Sequence, residues 1–126
     1  NMIKKLRPPF NLPPGAIAAG IAALNDENHL KKVVSHNNSI KSWFIDELNN
    51  LGFKAYNTQA NFVFVIIPDN KNQNASLIND YLLSKGLAVR YLLSYGLKNA
   101  LRITLGTKAE LNKTIEALKE FMRNND

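Results

Sequence analysis

Cysteine is absent from this 126-residue sequence, so neither a disulfide framework nor a thiolate metal site can be built from it. Histidine is nearly as scarce. His29 and His36 are well separated, make no metal cluster by themselves, and read as exposed helix surface. Long apolar runs are missing too: Asn61-Phe-Val-Phe-Val-Ile-Ile-Pro68 holds six consecutive apolar residues, against the roughly 20 that a membrane-spanning helix needs. No membrane partner is expected. Lys4, Lys5 and Arg7 lead into Pro-Pro-Phe-Asn instead of the apolar segment of a secretory signal, which points to a cytoplasmic protein.

What is present is an ordinary globular composition, 45% hydrophobic and 21% charged, with room for one domain and one core. The net charge of +6 and the pI of 9.7 raise the question of nucleic acid. The charges are scattered rather than gathered into a stripe, so no nucleic-acid partner is expected. There are 12 Lys, 18 Asn and only 4 Arg, the signature of an A/T-rich coding sequence. Where such a composition spends an arginine, planar bidentate recognition of an oxyanion is one reason to look for.

Along the chain, four prolines in two pairs between Lys4 and Gly15 predict an extended connector. A short helix over Ala16–Leu24 follows, with Pro13 or Pro14 in its first turn, and Asn25-Asp-Glu-Asn28 interrupts it. Leu30, Val33, Val34, Asn37, Ile40, Phe44, Leu48 and Leu51 then recur at helical spacing up to a Gly52 cap, a stripe expected to face a sheet. Phe53–Tyr56 reads as a short strand and Phe62–Ile67 as the central one. Leu77, Ile78, Tyr81 and Leu82 mark a helix stopped by Gly86. Leu87–Arg90 and Ala100–Leu105 are two further strands. Thr107-Lys-Ala-Glu110 is a capping box opening a last helix, whose core face is Leu111, Ile115, Leu118, Phe121 and Met122. The order describes a two-layer α+β domain in which helices cover a small sheet.

Period-two alternation sets Leu101, Ile103 and Leu105 on one face and Arg102 on the other; the same rule sets Leu87 and Val89 inward and Arg90 outward. If the two strands are neighbours, both guanidiniums line one surface. Like charges that close favour a carboxylate or phosphate ligand. The bland alternative is that each arginine pairs with a local Asp or Glu, or lies in solvent.

Lys5-Leu-Arg-Pro-Pro-Phe-Asn11, Gln59-Ala-Asn-Phe-Val63 and Tyr95-Gly-Leu-Lys-Asn-Ala-Leu-Arg-Ile-Thr-Leu-Gly-Thr107 stand in an order and spacing that resemble the histidinol-phosphate aminotransferases. The resemblance spans nearly the whole chain. The Arg-Pro-Pro-Phe-Asn connector together with the Leu-Arg-Ile-Thr-Leu-Gly strand is its specific part. It implies the C-terminal small domain of a fold-type I pyridoxal-phosphate enzyme, with a mostly antiparallel sheet of about four strands. Residues 1–15 would be the interdomain connector and entry segment, and 16–126 the domain. Related threonine-phosphate decarboxylases and aromatic aminotransferases have similar small domains, and a non-catalytic split-gene remnant acting as a binding module is a reading of a different class.

Carried over onto matching positions, the resemblance makes Arg102 the arginine that binds an acidic group of the amino-acid substrate. It makes Arg90 a second one, holding the substrate's phosphate or carboxylate. Tyr95 would lie in the loop at the mouth of the site, and Asn61 at the start of the central strand facing the substrate. Tyr91-Leu-Leu departs from relatives that carry Pro and polar residues after this arginine. The resemblance places the catalytic lysine and the pyridoxal 5'-phosphate site in a large N-terminal domain outside this sequence, in an enzyme that is a homodimer. This chain is then expected to carry no catalytic, cofactor or metal residue, and to be inactive alone.

Overall fold

A computed structural model of the chain describes residues 12–69 and 72–125. The Arg7 motif and most of the 1–15 segment lie outside the described residues. The end of that segment is already helical. Pro13 supplies the N-cap and Pro14 the first turn of α1 (Pro14–Asn25), where a missing N–H costs nothing. The interruption that follows shrinks to one residue: the Asp26 carboxylate accepts the backbone N–H of His29 at 2.9 Å and caps α2 (Glu27–Asn50).

The chain divides into two units within α2, between Ser35 and His36. In the first, no residue of α1 is buried, and Leu30, Val33 and Val34 of α2 are exposed. This corrects the expectation that the whole α2 stripe faces a sheet. Helical spacing defines which side of a helix is apolar, but only from Ile40 onward, through Phe44 and Leu48, is that side buried.

In the second unit α2 ends in a Schellman motif. Gly52 (φ 83°) donates to the Asn49 carbonyl at 2.9 Å, Phe53 donates to that of Leu48 at 3.2 Å, and the Phe53 and Leu48 side chains are both buried. The chain then forms β1 (Lys54–Tyr56), β2 (Phe62–Ile66), α3 (Ala75–Ser84), β3 (Arg90–Tyr91), β4 (Ala100–Thr104) and α4 (Lys108–Asn125). The Asn74 side chain caps α3 by accepting from Leu77 at 3.0 Å. The sheet is antiparallel, in the order β1-β2-β4-β3. Two main-chain bonds lengthen the β2–β4 pairing, Leu105 to the Asn61 carbonyl and Ile67 to that of Asn99, both 2.8 Å.

One face of the sheet, with Val63, Val65, Leu101 and Ile103, shares a core with Phe44 and Leu48 of α2, Ile78 and Leu82 of α3, and Leu111, Ile115, Leu118 and Phe121 of α4. This is the two-layer α+β arrangement expected. The capping box that opens α4 is formed: Glu110 accepts from the Thr107 backbone N–H and hydroxyl at 2.8 Å each, and donates its own N–H to that hydroxyl at 3.3 Å. The third strand is shorter and later than the sequence implied. Leu87–Val89 do not pair, and β3 is Arg90–Tyr91, because an edge strand pairs only where β4 lies alongside it.

Candidate functional site

The other face of the sheet carries no helix in its core packing, and alternation decides what it shows. From β1 come Lys54 and Tyr56, from β2 Phe62, Phe64 and Ile66, from β4 Ala100, Arg102 and Thr104, and from β3 Arg90. Register then forms a row. Tyr56 stands opposite Phe64, Phe64 opposite Arg102, and Arg102 opposite Arg90. Both arginines are exposed.

Among the described residues, neither guanidinium has a carboxylate partner. Arg102 instead lies over the Phe62 ring, 5.1 Å from its centroid, and Phe64 packs against Tyr56 at 5.8 Å between centroids. Two unpaired cations on an aromatic floor repel each other in the absence of an anion, and a bound oxyanion relieves that cost. At the far side of the row the Tyr56 side chain raises the Lys54 pKa above its ordinary value, so this end stays cationic as well.

Of the four expected site residues, the structure brings Arg90 and Arg102 side by side. Asn61 lies in the bend just before β2, with the parity of Val63 rather than of Phe62, and its tie to β4 is through the main chain at Leu105. Tyr95 is 68% exposed in a short 3-10 turn, Leu93–Tyr95, in the loop leading into β4. The two therefore flank opposite ends of that strand. Tyr91, which follows Arg90 directly, belongs to β3. It is half-buried, and its hydroxyl donates to the Lys98 carbonyl at 2.8 Å, pinning the loop. Phe62 and Phe64 stand in the strand expected to be central, with no site role expected of either. Their alternation with Val63 and Val65 was the available signal that both rings share the arginines' face.

Three of the described lysines have surroundings that bear on anchoring pyridoxal phosphate. Its covalent anchor is a lysine amine that must be unprotonated to react. The one buried lysine among the described residues, Lys41, donates to the Thr58 carbonyl at 2.6 Å. Lys54 and Lys85 both have raised pKa values, Lys85 chiefly through its bond to Glu120 at 3.0 Å, the opposite of activation. Among the described residues no group of three His, Cys, Asp or Glu could hold a metal ion, and no helix is long and apolar enough to cross a membrane.

The family model for aminotransferase class I and II matches residues 1–118. The histidinol-phosphate aminotransferase of Nitrobacter winogradskyi is 36% identical over 120 residues, which are 95% of this chain and 33% of that protein. Its counterpart in Paramagnetospirillum magneticum is 37% identical over 121 residues, 96% of this chain and 33% of that protein. Among solved structures, the histidinol-phosphate aminotransferase of Sinorhizobium meliloti in complex with pyridoxal-5'-phosphate is similar with a TM-score of 0.80 at 27% identity, over 98% of this chain and 33% of the other. That of Clostridium acetobutylicum gives 0.78 at 26% identity, over 97% and 37%. The chain spans about a third of the length of the curated relatives it matches.

Proposed function

Because the chain belongs to the class I and II aminotransferase family, we propose that it is the substrate-gripping C-terminal small domain of a pyridoxal-phosphate-dependent aminotransferase of the histidinol-phosphate type. The intact protein in this reading is a homodimer that moves an amino group between glutamate and imidazole-acetol phosphate. Arg102 binds the acidic group of the amino-acid substrate, and Arg90 holds its phosphate or second carboxylate. The observation that carries the reading is the direct pairing of Arg90 with Arg102 on the open face, with no acidic partner for either among the described residues.

The role of these residues is orientation. A bidentate guanidinium fixes the substrate's acidic group, and so fixes the direction of the bond to be broken, which is a positioning effect rather than bond cleavage. The cofactor, when bound, supplies the electron sink for that cleavage. Its lysine and phosphate-holding residues belong to a large domain joined through the 1–15 segment. The apolar surface of α1 supports such a partner: Ile17, Ile21 and Leu24 are 50%, 58% and 83% exposed, and a helix of 12 residues with nothing to bury against is marginal in water.

Two measurements test this. Inorganic phosphate titrated into the chain should shift the guanidinium NMR signals of Arg90 and Arg102, with Arg102→Ala abolishing the effect and Arg90→Ala weakening it about tenfold. Retention of the same affinity in both variants would remove the clamp. Incubation with pyridoxal phosphate followed by borohydride should leave no stoichiometric lysine adduct by mass spectrometry; an adduct at a single lysine would overturn the assignment of the cofactor site to a separate domain.

A further inference from the structure

The arginine row leaves one buried cation unused. Lys41 lies on α2 with 6% of its surface exposed, and among the described residues no carboxylate pairs with it. Taking a charged nitrogen out of water is costly unless an acceptor meets it, and an apolar side chain at this position carries no such cost. What the Lys41 Nζ reaches is the Thr58 carbonyl, at 2.6 Å, in the segment between β1 and β2.

That segment is where the β1–β2 ladder ends. Tyr56 stands opposite Phe64, so two residues further the register points residue 58 at Phe62. Alternation turns the Phe62 main chain toward the β1 side, because the neighbouring Asn61 carbonyl already goes to Leu105 on the β4 side. No main-chain bond joins Thr58 to Phe62. The Thr58 hydroxyl donates to the Phe62 carbonyl instead, at 2.6 Å, and accepts the Ala60 N–H at 3.3 Å. Thr58 is thus held from two directions, by Lys41 on its carbonyl and through its hydroxyl on Phe62. The Phe62 ring is the one that lies under the Arg102 guanidinium, 5.1 Å from it. A continuous series of contacts therefore runs from the helix layer to the open face, through Lys41, Thr58, Phe62 and Arg102.

We propose that Lys41 and Thr58 are positioning residues for the anion clamp: they fix the start of β2 so that the Phe62 ring holds the Arg102 guanidinium aligned for an oxyanion. The inference rests on the clamp proposed above and accounts for a lysine buried away from it. An exposed arginine samples many rotamers, and an aromatic platform that favours one of them removes part of the ordering cost of anion binding. Neither positioning residue touches the anion.

The experiment titrates inorganic phosphate into the full chain and its variants. It follows the Arg102 side-chain NMR signals, whose ring-current shift reports stacking on Phe62, together with the urea midpoint. Thr58→Val removes the hydroxyl and changes no charge; Lys41→Met keeps the stem and removes the buried nitrogen. Each should move the Arg102 δ-methylene signals toward their unstacked position and weaken phosphate about threefold, the size of an exposed cation–π contact. Thr58→Ser and Lys41→Arg, which keep the donors, should hold wild-type values. Lys41→Met should not lower the urea midpoint, since an apolar replacement sheds the desolvation cost of a buried charge. Lost stability with unchanged stacking and affinity would make both residues merely structural and overturn the proposal. A weaker affinity in Lys41→Met that Thr58→Val does not share would be long-range charge alone and overturn it too. Thr58→Val, in a partly exposed turn, decides the case if Lys41→Met does not fold. Phosphate that leaves the wild-type arginines silent removes the clamp itself, whereas arginines that respond equally in wild type and variants remove only the relay.

Discussion

Before Ser35 the apolar stripe of α2 lies open, and after it the same stripe is core. Leu30, Val33 and Val34 are 61%, 38% and 49% exposed, whereas Ile40, Phe44 and Leu48 are 6%, 0% and 0%. Helix type, spacing and residue class are alike on both sides of the division; what differs is that the later half finds the sheet, α3 and α4 to pack against. Periodicity therefore encodes a face, and only a partner turns the face into a core. Burying a Leu or Phe side chain fully is worth about 1.5–3 kcal/mol, a gain realised across the second unit and left unrealised along α1 and the start of α2.

The widest separation between the two regions should come from truncating one side chain in each. Phe44→Ala removes a fully buried ring and is expected to cost about 3–5 kcal/mol, read as a lower urea midpoint at an unchanged slope. Ile21→Ala removes a half-exposed side chain and should stay within about 0.5 kcal/mol. Comparable losses at the two positions would mean that α1 is part of the cooperative unit, and the contrast would fall.

Glycine substitutions sharpen the comparison at a smaller scale. Gly52 adopts φ 83° in the α2 cap, where a Cβ is strained whatever the space around it, so Gly52→Ala should cost about 1 kcal/mol of global stability. Gly20 sits inside α1 with nothing within 4 Å of an added Cβ. Gly20→Ala should raise helix content by circular dichroism, since alanine favours a helix interior by about 1 kcal/mol, yet leave the urea midpoint in place. A midpoint that rose with the helix content would couple α1 to the core.

Most of the fold could be read from the residues because local rules and tertiary packing agree there. The Thr107–Glu110 box, the Gly52 cap and the alternation of Leu101-Arg-Ile-Thr all act over a few residues, and each is found where its chemistry put it. Elements governed by distant partners were less legible. Nothing in Leu87-Ala-Val says that pairing waits until Arg90, and nothing in the α2 stripe says that burial waits until Ile40. The site follows the same division. Alternation was enough to put Arg90 and Arg102 on outward faces, but their being opposite one another is a matter of register between segments 12 residues apart, fixed by the sheet as a whole. The aromatic floor went unread because a run such as Phe-Val-Phe-Val is apolar on both sides of the strand, so composition alone hides which face stays open.

The smallest effect concerns how helices begin. α1 starts on Pro13 with no side-chain cap, whereas α4 starts on a cap that involves a titrating group. The Thr107 backbone N–H, and then its hydroxyl, hold the Glu110 carboxyl below its ordinary pKa. A group whose folded pKa is depressed contributes stability above the unfolded value and loses it as pH falls through the folded one. The chain should accordingly weaken in acid, below the usual glutamate range, and Glu110→Gln should flatten that dependence. Thr107→Ala removes the two hydroxyl contacts, keeps the backbone N–H bond to Glu110, and should cost about 1 kcal/mol near neutrality. Glu120, held down chiefly by Lys85 and then by Tyr81, titrates in the same direction, so some acid sensitivity should survive in either variant and shrink further when Lys85 is also replaced. An acid profile identical in wild type and Glu110→Gln would place the whole effect at Glu120, and the two helix starts would then differ in geometry without differing in how they respond to pH.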